Sequence, residues 1–157
     1  MRAVLMLAAF VYSVGPALAQ APDTVFLEEL TWTEVRDGVA AGRTTIIIPT
    51  GGTEQNGPHM VLGKHNVLVK YKAGETARRL GNALVAPVMA YVPEGEVNPP
   101  TGHMRFSGTI TTPEAVFAKV LEYAARSFKQ HGFRDIAVLG DSGGNQAAQK
   151  LVADALN

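Results

Sequence analysis

The chain has 157 residues, 46% of them hydrophobic and 18% charged, and its 14 Lys+Arg balance its 14 Asp+Glu. That composition suits a globular protein and excludes disordered, collagenous and disulfide-framework chains. Balanced charge leaves no basic stripe for nucleic acid, and the lack of cysteine excludes disulfides, thiolate zinc sites and a cysteine nucleophile.

Met1-Arg2 is a short basic start, Val4 to Val14 is almost wholly apolar, and Pro16 and Ala17-Leu18-Ala19 end the run. This is the pattern of a secretory signal peptide over residues 1–19, too short to span a bilayer comfortably. The expectation is an exported protein, periplasmic or secreted, with no membrane partner after cleavage and with residues 20–157 forming one domain.

Thr31 is placed to cap a short helix, with Glu34 three residues on completing a capping box and Gly42 ending it. Thr44 to Pro49 (TTIIIP) is a β-branched run of the kind buried on both faces of a sheet. A glycine-rich loop, 50–63, follows, then a helix from about Val67 to Leu80 closed by Gly81. Ala83 to Ala90 reads as a second buried strand. Tyr91 to Gly108 is too long and too rich in Pro and Gly for a simple connection, which points to a functional loop.

Pro113 to His131 carries a helical apolar stripe (Val116, Phe117, Val120, Leu121, Ala124, Phe128), with His131 as a cap on its macrodipole. Asp135 to Leu139 reads as a third buried strand, and Gln146 to Leu156 as a last helix. Strands alternating with helices predict an α/β fold, a parallel sheet flanked by helices. In such sheets the loops after the strand carboxyl ends build the site, here 50–63, 91–108 and 140–145. The last helix ends while still apolar and the sheet is thin, so the domain is expected to be incomplete at its C-terminus or completed by a partner.

Each loop carries candidate chemistry. Glu54, Gln55, Asn56 and His59 share the first, where Glu54 reads either as a metal ligand or general base, or as an acceptor pinning the loop. His65 lies just past it. His103 and Arg105 lie in the second, positioned to bind a carboxylate or polarise a carbonyl. In the third, Gly140-Asp141-Ser142-Gly143-Gly144 matches G-x-S-x-G between a strand and a helix, the setting of a nucleophilic serine. No histidine follows Ser142 to act as its base in the chain order of that fold.

Together the loops resemble the creatininase (creatinine amidohydrolase) family. Pro49 to Asn66, PTGGTEQNGPHMVLGKHN, is similar to its PxGSxEQHGPHLPLGTD. His103 to Ile110 is similar to its HxxFPGTI, and Gly140 to Asn145 to its NGHGGN, preceded by the family-like GFRDIAVL. The resemblance implies an α/β/α sandwich, amide hydrolysis at a two-metal zinc or manganese centre, and a homo-oligomer. Carried over by position, the metal-binding Glu falls on Glu54, a ligand His on Asn56, the Asp bridging both metals on His65, and the His of NGHGGN on Ser142. A further family Glu would lie beyond Asn157.

A carboxylate can bridge two cations, whereas a neutral imidazole offers one lone pair, and amide or hydroxyl oxygens are poor zinc ligands. The expectation is therefore at most one divalent ion, Zn or Mn, on Glu54, His65 and Asp141. His103 and Ser142 are expected at the chemistry, and Asn56, His59, Arg105, Asp141, Gly143, Gly144 and Asn145 around a small-molecule substrate. The expected function is amide or cyclic-amide hydrolysis by a metal-activated water. The alternatives are a non-catalytic binding or assembly protein and a metal-independent serine hydrolase using Ser142.

Overall fold

A computed structural model describes residues 22–157, so the expected signal peptide lies outside the described residues. Three strands form one parallel sheet in the order β2-β1-β3: β1 (Thr45–Thr50), β2 (Ala83–Val85) and β3 (Asp135–Gly140). Four helices accompany it: α1 (Trp32–Ala40), α2 (Lys64–Leu80), α3 (Glu114–Gln130) and α4 (Gln146–Leu156). The α/β architecture expected from the sequence is the one present.

β1 is central because its isoleucines serve two cores. Ile46 and Ile48 face a layer with Phe117, Leu121 and Ala125 of α3 and Ala148 and Val152 of α4, which α1 extends through Val35 and Val39. Ile47 faces the opposite layer, with Ala73 and Ala77 of α2. Alternate residues of a strand point to opposite faces, so three consecutive β-branched residues fill both. The small alanines on α2 let that helix lie close to the sheet.

Two strand expectations need correcting. β2 ends at Val85 rather than running to Ala90, because Pro87 has no N–H to donate and breaks the ladder. The chain rejoins β1 at Met89, whose N–H donates to Pro49 O at 2.9 Å. β3 is not buried on both faces: each of its residues is exposed or half-buried. Among the described residues only β1 pairs with it, so one edge is open.

The helix boundaries follow local chemistry. Thr31 caps α1 in a full capping box with Glu34. α2 starts three residues before the expected Val67, so His65 and Asn66 sit in its first turn. Gly81 closes it in the left-handed conformation, at φ +76°.

Candidate active site

The carboxyl ends of β1 and β3 open into a cavity of about 520 Å³. Its wall includes Glu54, Asn56, Lys64 and His65 from the first loop and α2, Glu94 and His103 from the second loop, and Asp141 to Gly144 from the third.

Backbone contacts fix the first loop. Asn66 Oδ1 accepts the Gly52 N–H at 3.0 Å, and Asn145 Nδ2 donates to Gly51 O at 2.9 Å. A Cβ on Gly51 would lie 2.1 Å from Asn66 Oδ1, so only glycine lets the loop approach α2 this closely. The second loop folds back on itself: the His103 N–H donates to Glu94 O at 3.0 Å and the Glu94 N–H to Thr111 Oγ1 at 2.9 Å. Glu94 and His103 are thereby held side by side.

Glu54 is 4% exposed and sits at the centre of the polar cluster. Its Oε1 lies 2.9 Å from His65 Nε2, and its Oε2 3.3 Å from His103 Nε2. On the far side, His65 Nδ1 lies 2.8 Å from Asp141 Oδ2, and the Lys72 ammonium pairs with Asp141 Oδ1. Burial pushes the Glu54 carboxyl up, but the hydrogen bond with Glu94 and the nearby His103 and His65 outweigh it and hold Glu54 below the usual carboxylate range. The Lys72 hydrogen bond, opposed by burial and aided by His65, does the same for Asp141. Each nitrogen of the His65 ring thus faces a carboxylate.

Glu94 is the opposite case. Burial, and then the facing Glu54 carboxylate, push it up to about 9, so it keeps its proton at neutral pH in the metal-free protein. Its Oε1 is buried with no hydrogen-bond partner. Gly52 makes room for that oxygen, since a Cβ there would lie 2.5 Å from it.

These observations test whether a metal suits the site. Ligand atoms of Glu54, Glu94 and His103 all lie within 4.8 Å of one another. His103 Nδ1 lies 3.2 Å from Gln55 O, and a proton donated there leaves the Nε2 lone pair facing Glu54. Two carboxylates and one imidazole suit Zn²⁺ or Mn²⁺. The residues fit.

The expected site residues are not all where the sequence reading put them. Glu54, His65 and Asp141 do meet, with His65 Nε2 facing Glu54 and Nδ1 facing Asp141, but the set whose ligand atoms all lie within 4.8 Å of one another is Glu54, Glu94 and His103. Asn56, Asp141, Ser142, Gly143 and Gly144 line the cavity. His59 and Arg105 do not: both are exposed on loop surfaces outside it. Asn145 is fully buried and braces Gly51 instead of lining the pocket. Ser142 lines the wall, but the two histidines of the cavity are engaged elsewhere, His65 with carboxylates and His103 with Gln55 and Glu54.

Glu94 is the residue that sequence reasoning missed. It lay inside a loop marked as functional, yet nothing in the spacing separates it from Glu96 two residues on. Only the fold shows that Glu94 turns inward, while Glu96 is exposed.

Known proteins share the family pattern and the fold of this chain. The profile of the creatininase family, described as creatinine amidohydrolase, matches residues 28–157. The chain is similar to the creatinine amidohydrolase of Pseudomonas putida, 31% identical over 116 residues, which cover 74% of this chain and 44% of that protein. It is also similar to the mycofactocin precursor peptide peptidase of Mycolicibacterium smegmatis, 31% identical over 113 residues, covering 69% of this chain and 43% of that one. The chain thus spans less than half the length of these relatives. Among solved structures, a mutant creatininase superposes with a TM-score of 0.75 at 29% identity, over 84% of this chain and 51% of that one. A Zn–Zn mutant form gives 0.69 at 28% identity, over 86% and 53% of the two chains, and a manganese creatininase 0.67 at 29%, over 85% and 52%.

Proposed function

The chain belongs to the creatininase family, and from that premise we propose that its cavity hydrolyses the C–N bond of a small amide or cyclic amide. One divalent ion, zinc or manganese, is held in this reading by Glu54, Glu94 and His103. The observation that carries it is the orphan Glu94 oxygen, buried beside a second carboxylate and an imidazole, with Gly52 leaving the space it needs. Burying an unpaired carboxyl oxygen is costly unless a ligand meets it.

A divalent ion bound there would polarise an amide carbonyl or supply a water acidic enough to be ionised near neutral pH. The chain's own residues do the rest. Gln55 fixes the His103 ring through the contacts of its backbone oxygen and side-chain amide with Nδ1. His65 lies between Glu54 and Asp141 and sets the angle of the Glu54 carboxylate, while Lys72 anchors Asp141. Gly143 and Gly144 leave a wall without side chains where a substrate can lie close to the backbone. Where the family resemblance expects a bridging carboxylate, this chain has the His65 ring, which cannot bridge two cations as a carboxylate does, and that supports one ion rather than two.

The reading is tested by dialysing the protein against EDTA and assaying a panel of small amides, creatinine among them. Turnover should vanish on chelation and return with Zn²⁺ or Mn²⁺. Turnover that EDTA leaves intact would overturn it. Binding without turnover, in protein of full metal content, would leave a non-catalytic binding protein. The serine route gains no support, since Ser142 has no histidine free to serve as its base.

Two further expectations belong to this reading. The apolar stretch before residue 20 supports export, and mass analysis of the N-terminus of protein recovered from its native compartment should place the cut after Ala19. Met60, Val61, Val67 and Tyr71 are large hydrophobics left exposed on the first loop and α2, which supports a homo-oligomer that light scattering would detect.

A further inference from the structure

Lys64 is the unmatched charge of the cavity. It opens α2 and is half-buried, and its ammonium lies 2.6 Å from Asn56 Oδ1, a neutral acceptor. No carboxylate of the described residues lies within 4.0 Å of it. The acids of the same wall are committed elsewhere, Asp141 to Lys72 and His65, Glu54 to the two histidines, and Glu94 to Glu54. Asn56 is itself held, its Nδ2 donating to Glu54 O at 3.3 Å, so its oxygen fixes the lysine against the wall. A lysine drawn partly out of water without an acidic partner loses hydration that an incoming anion would offset. It pairs as a compact point charge, which suits a single monoanionic group.

We propose that Lys64 binds a carboxylate carried by the substrate, so that the substrate class is an amide with a carboxylate on one side, as in an N-acyl amino acid or the end of a short peptide. This rests on the hydrolase reading above and narrows it. Asn56 acts as a positioning residue that keeps the ammonium at the wall.

The probe is N-acetylglycine, compared with its neutral N-methylamide and with inorganic phosphate, by calorimetry on the protein as purified. N-acetylglycine should bind at least about tenfold more tightly than the neutral amide, the effect of one charge-assisted contact. Lys64→Met should erase the difference and Lys64→Arg should keep part of it, while the metal content of all three proteins stays the same. Thermal melts confirm that the variants fold. Equal binding of the charged and neutral probes, no binding of N-acetylglycine, or binding that Lys64→Met leaves unchanged would each overturn the proposal, as would tighter Lys64-dependent binding of phosphate than of the carboxylate. Lys64-dependent carboxylate binding by a metal-free protein would sink the hydrolase reading and leave the recognition standing.

Discussion

At the scale of single residues, the account turns on Glu94 and the space left for it. Gly52→Ala would place a methyl 2.5 Å from Glu94 Oε1 and 3.3 Å from Val92 Cγ2, pushing the carboxyl out of line. Metal affinity should fall about 10–100-fold, the usual effect of disturbing the groups that orient a ligand, as read by competition with a chelator. The metal-free protein should also show Glu94 in its pH dependence. A folded-state pKa raised from 4.5 to about 9 means that the folded chain holds a proton the unfolded chain has released across that window. Stability is then fully present below about 4.5 and is lost as pH rises toward 9. In EDTA-treated protein, the thermal midpoint should drop between pH 5 and pH 8 more in wild type than in Glu94→Gln, whose amide has no proton to lose. Equal drops would place Glu94 outside the titrating set. Glu54 could be read from the motif around it, whereas Glu94 could not, because a buried carboxyl's role depends on the neighbours the fold supplies.

At the scale of elements, local chemistry and tertiary pairing divide the work. The capping box on α1 was legible as T-x-x-E and forms as expected. Thr31→Ala removes the side-chain acceptor for the Glu34 N–H and should cost about 1 kcal/mol, or about 3 °C in thermal midpoint for a domain of this size. β1 was equally legible, since three adjacent isoleucines leave no face for water. Ile48→Ala, at a residue 1% exposed in the larger core, should cost about 3–4 kcal/mol in urea unfolding. A loss under about 1 kcal/mol would mean that the core closes over the gap. β2 and β3 were less legible. Pro87 lies within an apolar run that reads as one strand, and whether a proline ends a strand or sits harmlessly on its edge depends on which neighbour needs its N–H. β3 has the composition of a buried strand, but its exposure depends on what lies beyond its second edge, which composition does not encode.

At the scale of the whole molecule, three loops from separate parts of the chain converge at one end of a parallel sheet. That convergence was legible, because it follows from strand–helix alternation alone. How each loop turns was not. His59 and Arg105 sit in the right loops and face outward, while His65 faces inward between two carboxylates. The pocket that results pairs each inward acid with a cation or with another acid, leaving an orphan oxygen at Glu94 and an unmatched ammonium at Lys64. Both gaps are what an incoming ion and an incoming anion would fill.

The measurement that tests this most directly is elemental analysis of the purified protein, wild type beside Glu94→Gln and His65→Ala. The account predicts about one zinc or manganese per chain in wild type, lost in Glu94→Gln and largely kept in His65→Ala. Metal that survives Glu94→Gln but leaves with His65, or a well-folded wild type that takes up no divalent ion, would contradict it.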